Sequence, residues 1–428
     1  MLRYSAGWHD YPIGPSAVDN VPGRHTEGDA EIDLLLACVQ PGAGREDSHL
    51  EQLLQRDLNW ERVVRLALVH GVSPLFAHRL GRLQPGLLPD DIRGALALHL
   101  RENRERNLQL TRALLQILDA LKERNVAALP FKGQVLGAMA YGDFSLRRAG
   151  DLDLLVRKRD VATVCQVLDV LGYREKAEFE IGRPMNAAEQ AGYLRYQCEY
   201  AFFRSDDRIL VEPHWAIVPT TLAADLDCEE FWARAETVLL GDRDTPTLAA
   251  EDLLVVLCVH SAKHEWTLLQ WICDVASLLE SRPALDLDAI LARARARGLE
   301  RMLLLGLGLA QRTFATRLPP PVQQRLNSDA AAAALVEVLA NRLFTPGLET
   351  SPVWEISRLR LAMRERLRDR AAYLFRTVVT PTEKHLRLVA LPDAVHGLYV
   401  PLKLVHDYLA LPVWHLARRM TGDPAERP

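Results

Sequence analysis

The sequence lacks the features that mark several classes of protein. Its 428 residues include six cysteines with no Cys-x-x-Cys pair, so neither a disulfide framework nor a zinc-finger spacing is present. The formal charge of -4 gives no overall attraction to nucleic acid. The longest apolar stretches, such as LLLGLGLA at residues 303–310, are far shorter than the roughly 20 residues of a membrane-spanning helix. We therefore expect no transmembrane segment, and any nucleic-acid partner would need a local basic patch.

A secretory signal is also missing from the first twenty residues, which contain no basic segment followed by an apolar core. Scattered cysteines are typical of free thiols in a reducing compartment. The 49% hydrophobic and 25% charged residues are those of a globular protein. The sequence therefore predicts a cytoplasmic protein with a substantial core.

Helical periodicity dominates the chain on both sides of a short α/β stretch. Residues 1–28 show no periodicity and are predicted to be a loosely ordered lead-in. Residues 29–110 are predicted to form an N-terminal helical region, residues 111–222 an α/β module, and residues 223–428 a C-terminal helical region. The expected fold is α+β and mostly helical, with a single small mixed sheet flanked by the two helical regions.

The α/β module begins with a strand, a glycine turn and a helix. These are followed by a second strand, a second helix, and two further strands joined by the turn SDDR; the segments are VAALPFKG, QVLGAMAYG, GDLDLLV, KRDVATVCQVLDVLGY, YQCEYAFFR and RILVEPHWAI. Gly133 lets the backbone turn closely and exposes amides at a helix N-terminus, where phosphate binds readily. Lys132 adds a positive charge at this turn.

Three carboxylates are predicted to meet beside that turn. Asp151 and Asp153 are two positions apart in the second strand, so both side chains point to one face. Such like charges are unfavourable unless a cation or solvent lies between them. Glu212 on a later strand offers a third carboxylate, and three carboxylates can hold two Mg²⁺ ions for phosphoryl-type transfer. Solvated or salt-bridged aspartates are the alternative.

In this order the motifs resemble the nucleotidyltransferase superfamily of the DNA polymerase β type. More narrowly, LPFKG, DLDLLV, VEPHW and VHSAKHEW are similar to an uncharacterised nucleotidyltransferase family often found beside polysaccharide and lasso-peptide biosynthesis genes. The resemblance implies metal ligation by Asp151, Asp153 and Glu212, with two Mg²⁺ ions, or Mn²⁺, as cofactor. It also implies that Lys132 and Gly133 bind the triphosphate of an NTP.

The chain departs from the wider superfamily at two positions. Lys132-Gly133 stands where Gly-Ser or Gly-Gly is usual, so the hydroxyl that often touches the triphosphate is missing. We expect Lys132 to replace it. Glu212 stands where aspartate is commoner, and its longer arm leaves the metal geometry open.

Two arginines and three histidines have alternative roles. Arg147 and Arg148 suit phosphate binding through their guanidinium groups, but they could equally pair with Asp143 or with the Asp-x-Asp carboxylates. His214, beside Trp215, is either a structural histidine or a base on the acceptor side.

His260 and His264 lie one helical turn apart and could ligate a metal, with Asp274 further along. Ser261 occupies the position where a zincin has glutamate. The alternatives are a polar helix face packed against the module, and a phosphate contact from Lys263 or His264.

The expected activity is therefore Mg²⁺-dependent transfer of a nucleoside monophosphate from an NTP to an unidentified acceptor, such as a sugar, a peptide or a small molecule. One alternative is an Asp-x-Asp glycosyltransferase, although that class usually has a larger doubly wound sheet. A second is an inert nucleotidyltransferase-fold binding protein. The C-terminal LKLVHDYLALPVWHLARRM has aromatics and a basic end, which suit peripheral contact with a membrane. The alternative, which we favour from the sequence, is packing onto the helical body.

Overall fold

The structure is a computed structural model that describes residues 29–42, 47–83, 86–176, 185–224, 226, 228–345, 356–389 and 391–410. The predicted lead-in at residues 1–28 lies outside the described residues. Within the described ranges, no helix combines the length and the apolar character needed to cross a membrane.

The N-terminal region is helical, as its periodicity predicts. Its helices are α1 (Ala30–Val39), α2 (Asp47–Leu54), α3 (Trp60–Val69), α4 (Ser73–Gly81) and α5 (Asp90–Glu123). The longest of them, α5, buries Leu110, Leu114, Ile117 and Leu121 along one stripe. Because α5 runs without a break through residue 110, the helical region and the α/β module share one helix at the predicted boundary.

The α/β module follows α5. Its elements are β1 (Ala128–Pro130), α6 (Gly133–Tyr141), β2 (Asp151–Val156), α7 (Val161–Val170), β3 (Arg174–Glu175), α8 (Ala187–Tyr196), β4 (Phe202–Arg204) and β5 (Ile209–His214). The five strands form a mixed sheet in the order β1-β2-β5-β4-β3, in which β2 and β5 are parallel and the other pairs are antiparallel. The small mixed sheet that the sequence predicts is therefore present.

The parallel pairing of β2 and β5 sets the position of the acidic residues. Leu152 and Leu154 of β2 and Val211 of β5 are buried and anchor the two strands in the core. The register places Asp153 opposite Glu212 and Leu155 opposite His214. Because a slip of one residue would turn the leucines out of the core, the apolar pattern also fixes which carboxylates are neighbours.

A second sheet, which the sequence analysis missed, lies beyond the module. Strands β6 (Glu236–Leu240) and β7 (Arg243–Thr247) form an antiparallel hairpin with Gly241 in the turn at φ +67°. Thr247 donates a hydrogen bond of 2.7 Å to the Pro130 carbonyl of β1. The alternating pattern of this hairpin is short and contains a proline, so tertiary contacts decide its structure.

The rest of the C-terminal region is helical. Its helices are α9 (Cys228–Arg234), α10 (Ala250–Lys263), α11 (Leu269–Ser281), α12 (Leu287–Arg297), α13 (Glu300–Phe314), α14 (Pro320–Ser328), α15 (Ala330–Arg342), α16 (Arg358–Ala362), α17 (Leu367–Val379), α18 (Glu383–Leu388) and α19 (Tyr399–Val405). Helix α10 ends beside the mixed sheet, and α11 packs against α6.

Candidate active site

The acidic residues of β2 and β5 converge at one place. Ligand atoms of Asp153, Glu212 and His214 all lie within 4.8 Å of one another. Asp151 lies near enough that its charge helps to raise the pKa of Glu212. The structure therefore brings Asp153 and Glu212 together, with Asp151 two residues before Asp153 on the same face of β2.

Lys132 and Gly133 form the turn between β1 and α6. Gly133 has φ +52°, a conformation that favours glycine, and a side chain there would lie 3.5 Å from the carbonyl oxygen of Asp151. The ammonium nitrogen of Lys132 lies 2.7 Å from Oδ1 of Asp153. Lys132 thus neutralises one of the carboxylates and lies at the N-terminus of α6, the position predicted for phosphate.

His214 links two carboxylates on opposite sides of its ring. Nε2 lies 3.0 Å from Oδ1 of Asp153, and Nδ1 lies 2.8 Å from Oε2 of Glu199. Burial alone would lower the pKa of His214, but Glu199 and Asp153 outweigh it and raise the pKa well above its usual value. The two carboxylates therefore favour the protonated form of His214, which would act as a buried counter-ion between them.

Glu199 is the residue of the site that the sequence analysis did not identify. It lies opposite His214 at an isolated antiparallel bridge beyond β4, and Lys263 of α10 lies 3.7 Å from its Oε1. Burial would raise the pKa of Glu199, but His214 and Lys263 hold it well below the usual value. The signal was present, because counting the register outward from the SDDR turn pairs residue 199 with residue 214.

The carboxylates of Asp151, Asp153 and Glu212 differ in how far neighbouring positive groups offset their charge. Burial would raise the pKa of Asp153, but Lys132 and His214 outweigh it and lower the pKa. Burial and the charge of Asp153 raise the pKa of Asp151 to about 6. Burial and the charges of Asp151 and Asp153 raise the pKa of Glu212 to about 8. Asp151 and Glu212 therefore lack the nearby positive charge that Asp153 has, and a cation beside them would remove the repulsion.

An unsatisfied oxygen marks the same place. Oδ2 of Asp153 is buried and has no hydrogen-bond partner within the described residues, and leaving such an acceptor without a partner is costly. Together with Asp151 and Glu212 it supplies the carboxylate oxygens that Mg²⁺ prefers. The residues present therefore fit a divalent ion.

Arg147 connects the module to the C-terminal region instead of lying open to the cleft. Its Nε and Nη2 each donate a hydrogen bond of 2.9 Å to Asp274 of α11, and the Tyr141 hydroxyl donates to the same carboxylate at 2.8 Å. The alternative partner Asp143 instead accepts from the Ser145 backbone amide. Asp274, considered in the sequence only beside the histidines, is thus the partner of Arg147.

Arg148 is also engaged by the protein. Its guanidinium donates a hydrogen bond of 3.0 Å to the Leu68 carbonyl of α3, and its own carbonyl accepts 2.9 Å from Gln270. The two arginines therefore join three parts of the chain, and their predicted phosphate contact stays a prediction.

The side chains of the HSAKHEW segment lie in two different environments. The rings of His260 and His264 lie 4.9 Å apart and both contact Trp271. Burial lowers the pKa of His260 well below its usual value and that of His264 to about 3, so both rings are neutral. Within the described ranges neither histidine belongs to a group with metal-ligand spacing. Lys263 alone of this segment turns toward Glu199.

The backbone after Lys263 is strained and is held in place by hydrogen bonds from residues near α16. Glu265 and Trp266 both have φ +54°, a left-handed conformation that costs a non-glycine residue about 1–3 kcal/mol. Buried Trp266 packs against Gly306 of α13. Ser357 donates a hydrogen bond of 2.6 Å to Glu265, and Arg360 donates one of 3.0 Å to the Lys263 carbonyl. Residues near α16 thus fix the position from which Lys263 reaches Glu199.

The comparison with known families agrees with this geometry. The family described as uncharacterised nucleotidyltransferase matches residues 56–315, more than half of the chain. The chain belongs to this nucleotidyltransferase family. No curated protein and no solved structure matches the chain significantly. The matched range contains Lys263 and the four carboxylates of the site, whereas Ser357 and Arg360 lie beyond it. The carboxylates are Asp151, Asp153, Glu199 and Glu212.

We predict that the Arg147–Asp274 pair is essential for stability. Asp274→Ala should lower the free energy of unfolding by about 3–5 kcal/mol, because it leaves a buried guanidinium without its carboxylate. The matched control is Asp119→Ala, which removes an equally short but exposed pair with Arg243 and should change little. Urea unfolding measures both variants, and equal effects would contradict the structural role of Asp274.

The raised carboxyl pKa values predict how metal-free stability depends on pH. A carboxyl group whose pKa is raised in the folded state stabilises below its unfolded pKa, and this contribution is lost as pH rises through the folded value. In EDTA, Asp151 and Glu212 should therefore make the free energy of unfolding fall between about pH 4 and pH 8, because both carboxyls ionise in the unfolded chain before they ionise in the folded one. Glu212→Gln should flatten the upper part of this decline.

The control for this profile is Glu105→Gln, which changes an exposed glutamate on α5. Thermal unfolding at pH 5, 6.5 and 8 provides the comparison. The two variants should behave alike at pH 5, and only Glu212→Gln should exceed the wild type at pH 8. A difference between Glu212→Gln and the wild type that does not grow between pH 5 and 8 would show that Glu212 is ionised without penalty.

Proposed function

We propose that the protein transfers a nucleoside monophosphate from an NTP to an acceptor in a Mg²⁺-dependent reaction. The observation that carries this proposal is the pairing of Asp153 with Glu212 on parallel strands beside the Lys132-Gly133 turn. Asp151, Asp153 and Glu212 would hold two Mg²⁺ ions, or Mn²⁺ in their place. When bound, these ions supply charge neutralisation for the triphosphate and acidify the acceptor.

The protein's own groups have separate tasks in this proposal. The Gly133 amide at the start of α6 and the ammonium of Lys132 bind the triphosphate. Lys263, held by the turn that follows α10, provides the second cation near the carboxylates. An oxygen or nitrogen of the acceptor forms a bond to the α-phosphorus, the bond to the bridging oxygen breaks, and pyrophosphate leaves with the electron pair. Asp151 or Glu212 takes the acceptor's proton.

The acceptor is proposed by class only. A hydroxyl or amine of a sugar, a peptide or a small molecule satisfies the chemistry. The glycosyltransferase alternative gains no support from the fold, because the mixed sheet has five strands and only β2 and β5 are parallel. The family match also favours nucleotide chemistry over glycosyl transfer.

One observation favours a second candidate, a binding protein without catalysis. Lys132 and His214 already neutralise Asp153. Such internal counter-ions can stabilise a nucleotidyltransferase fold that has lost its metal. This candidate differs from the first in one measurable property, because it needs neither Mg²⁺ nor turnover of an NTP.

We predict that turnover depends on the Asp-x-Asp pair. The full chain is incubated with each labelled NTP and Mg²⁺ or Mn²⁺, and pyrophosphate release and label transfer are measured. Asp151→Asn/Asp153→Asn should lower turnover by about three orders of magnitude, the scale on which a principal electrostatic stabiliser of the transition state acts. Asp119→Asn, an exposed acidic change, is the control. Circular dichroism confirms that each variant folds.

Three results separate the candidates. Turnover that depends on metal and is lost in the double variant supports the enzyme. Unchanged turnover in a folded double variant overturns the assignment of the two aspartates. Binding of an NTP without metal and without pyrophosphate release, for all four NTPs, supports the non-catalytic candidate.

The two environments of HSAKHEW lead to a further prediction. Lys263→Met should raise the KM for the NTP by about tenfold, because one ion pair with phosphate of about 1.4 kcal/mol is lost. His264→Gln should change KM little, because the His264 ring packs against His260 and Trp271. Initial rates over a range of NTP concentrations test this pair. A larger KM effect at His264 would reverse the assignment.

A further inference from the structure

The last described helices turn apolar side chains outward. Fifteen large apolar side chains are exposed in the described part of the chain, and ten of them lie between residues 367 and 409. This segment is about a tenth of the sequence. Isolated exposed apolar residues are ordinary, but a concentration of them marks an interaction surface.

Helix α17 shows the pattern clearly. Leu367, Ala371 and Phe375 follow one another at intervals of four residues and are all exposed, with Leu367 at 79% and Phe375 at 66%. Tyr373 and Thr377 lie on the opposite, buried face. The helix is therefore amphipathic, but part of its apolar side faces solvent.

The segment from residue 394 to residue 409 exposes apolar side chains and buries charged or polar ones, which reverses the usual arrangement. Its exposed positions recur at helical spacing and are all apolar or small: Ala394, Val395, Gly397, Leu398, Pro401, Leu404, Val405, Tyr408 and Leu409. Its buried positions include His396 and Lys403. The Lys403 ammonium donates hydrogen bonds of 2.8 and 2.9 Å to the carbonyls of Thr377 and Thr380 in and after α17. A helix that buries its lysine and exposes its leucines is arranged for an apolar neighbour.

The charge around these side chains is positive. Residues 357–409 contain ten Lys or Arg and five Asp or Glu, in a chain whose formal charge is -4. Among the described side chains of this range, the exposed charged groups are Arg358, Arg368 and Arg376, and Arg368 lies 3.5 Å from Asp369. Glu365, Asp369 and Asp407 are only partly exposed, and Asp407 lies 2.9 Å from Lys384. The apolar surface therefore has a cationic border.

We propose that the apolar surface of these C-terminal helices, which includes Leu367, Ala371 and Phe375 of α17 and Leu398, Val405 and Tyr408 of the segment packed against it, docks onto an anionic lipid surface. Amphipathic helices bind such surfaces by burying apolar side chains at the level of the headgroups while arginines contact the lipid phosphates. The exposed arginines match that partner, and the described acidic side chains of residues 357–409 are only partly exposed. This docking goes beyond the proposed nucleotidyl transfer and does not depend on it.

A second copy of the chain fits the same face less well. A symmetric dimer through this surface would place identical patches together. Such a dimer would bring two positively charged borders together, and the described acidic side chains of residues 357–409 are only partly exposed. An anionic bilayer instead supplies negative charge at every position along the border.

The test is co-sedimentation of the full chain with vesicles. Phosphatidylcholine vesicles containing phosphatidylglycerol should bind the protein, and vesicles of phosphatidylcholine alone should bind it weakly. Arg368→Gln and Arg376→Gln should each weaken binding by about fivefold, and salt should weaken it further. Phe375→Glu/Val405→Glu should weaken it by about tenfold or more.

The matched controls place the same charge on exposed apolar residues elsewhere. Val170→Glu on α7 and Leu239→Glu on β6 change side chains that are 78% and 60% exposed, and both should leave vesicle binding unchanged. Thermal unfolding verifies that all variants fold. NTP turnover without vesicles is measured in parallel, so failure of the docking proposal is distinguishable from failure of the proposed function.

Three outcomes overturn the proposal. The first is that the wild type fails to bind phosphatidylglycerol vesicles. The second is that Val170→Glu and Leu239→Glu lose binding as much as Phe375→Glu/Val405→Glu does. The third is that light scattering shows a dimer that Phe375→Glu dissociates while vesicles bind nothing, because the face would then contact a second copy.

Discussion

The site depends on the compensation of buried negative charge. Four carboxylates meet at one end of the mixed sheet, where burial disfavours their ionised forms. They are Asp151, Asp153, Glu199 and Glu212. Three basic side chains face them: Lys132, His214 and Lys263. His214 contacts both Asp153 and Glu199. Without the positive charge of this ring, buried Asp153 and partly buried Glu199 would lose a common counter-ion, so the electrostatics of the site depend on His214.

The three cations come from three different parts of the chain. Lys132 comes from the turn after β1, His214 from the end of β5, and Lys263 from the last turn of α10. The strained turn after Lys263 is held by Arg360, which lies beyond the range matched by the family. The C-terminal helices therefore do more than cover the module, because they fix the cation that faces Glu199.

Much of the module could be predicted from local sequence, because its signals are local. The strand, glycine turn and helix around Gly133, the Asp-x-Asp strand and the SDDR hairpin each depend on neighbouring residues, and the structure contains all of them. Glu199 was missed because its role arises from a cross-strand register, and the pairing of Arg147 with Asp274 because it joins residues 127 positions apart. The β6–β7 hairpin was missed because its pattern is short and its anchor lies on β1.

The unequal compensation of the carboxylates explains why the Lys-Gly turn is compatible with nucleotide chemistry. Lys132 is the ion-pair partner of Asp153 in the absence of substrate, whereas the proposed reaction also requires it near a triphosphate. One ammonium cannot fully compensate both anions. A divalent ion at Asp151, Asp153 and Glu212 would take over the first of these tasks, since the raised pKa values of Asp151 and Glu212 reflect a lack of nearby positive charge that such an ion would supply. With Asp153 compensated by the divalent ion, the ammonium of Lys132 would be free to contact the triphosphate. Lys132 is therefore suited to a site in which the divalent ion and the nucleotide bind together.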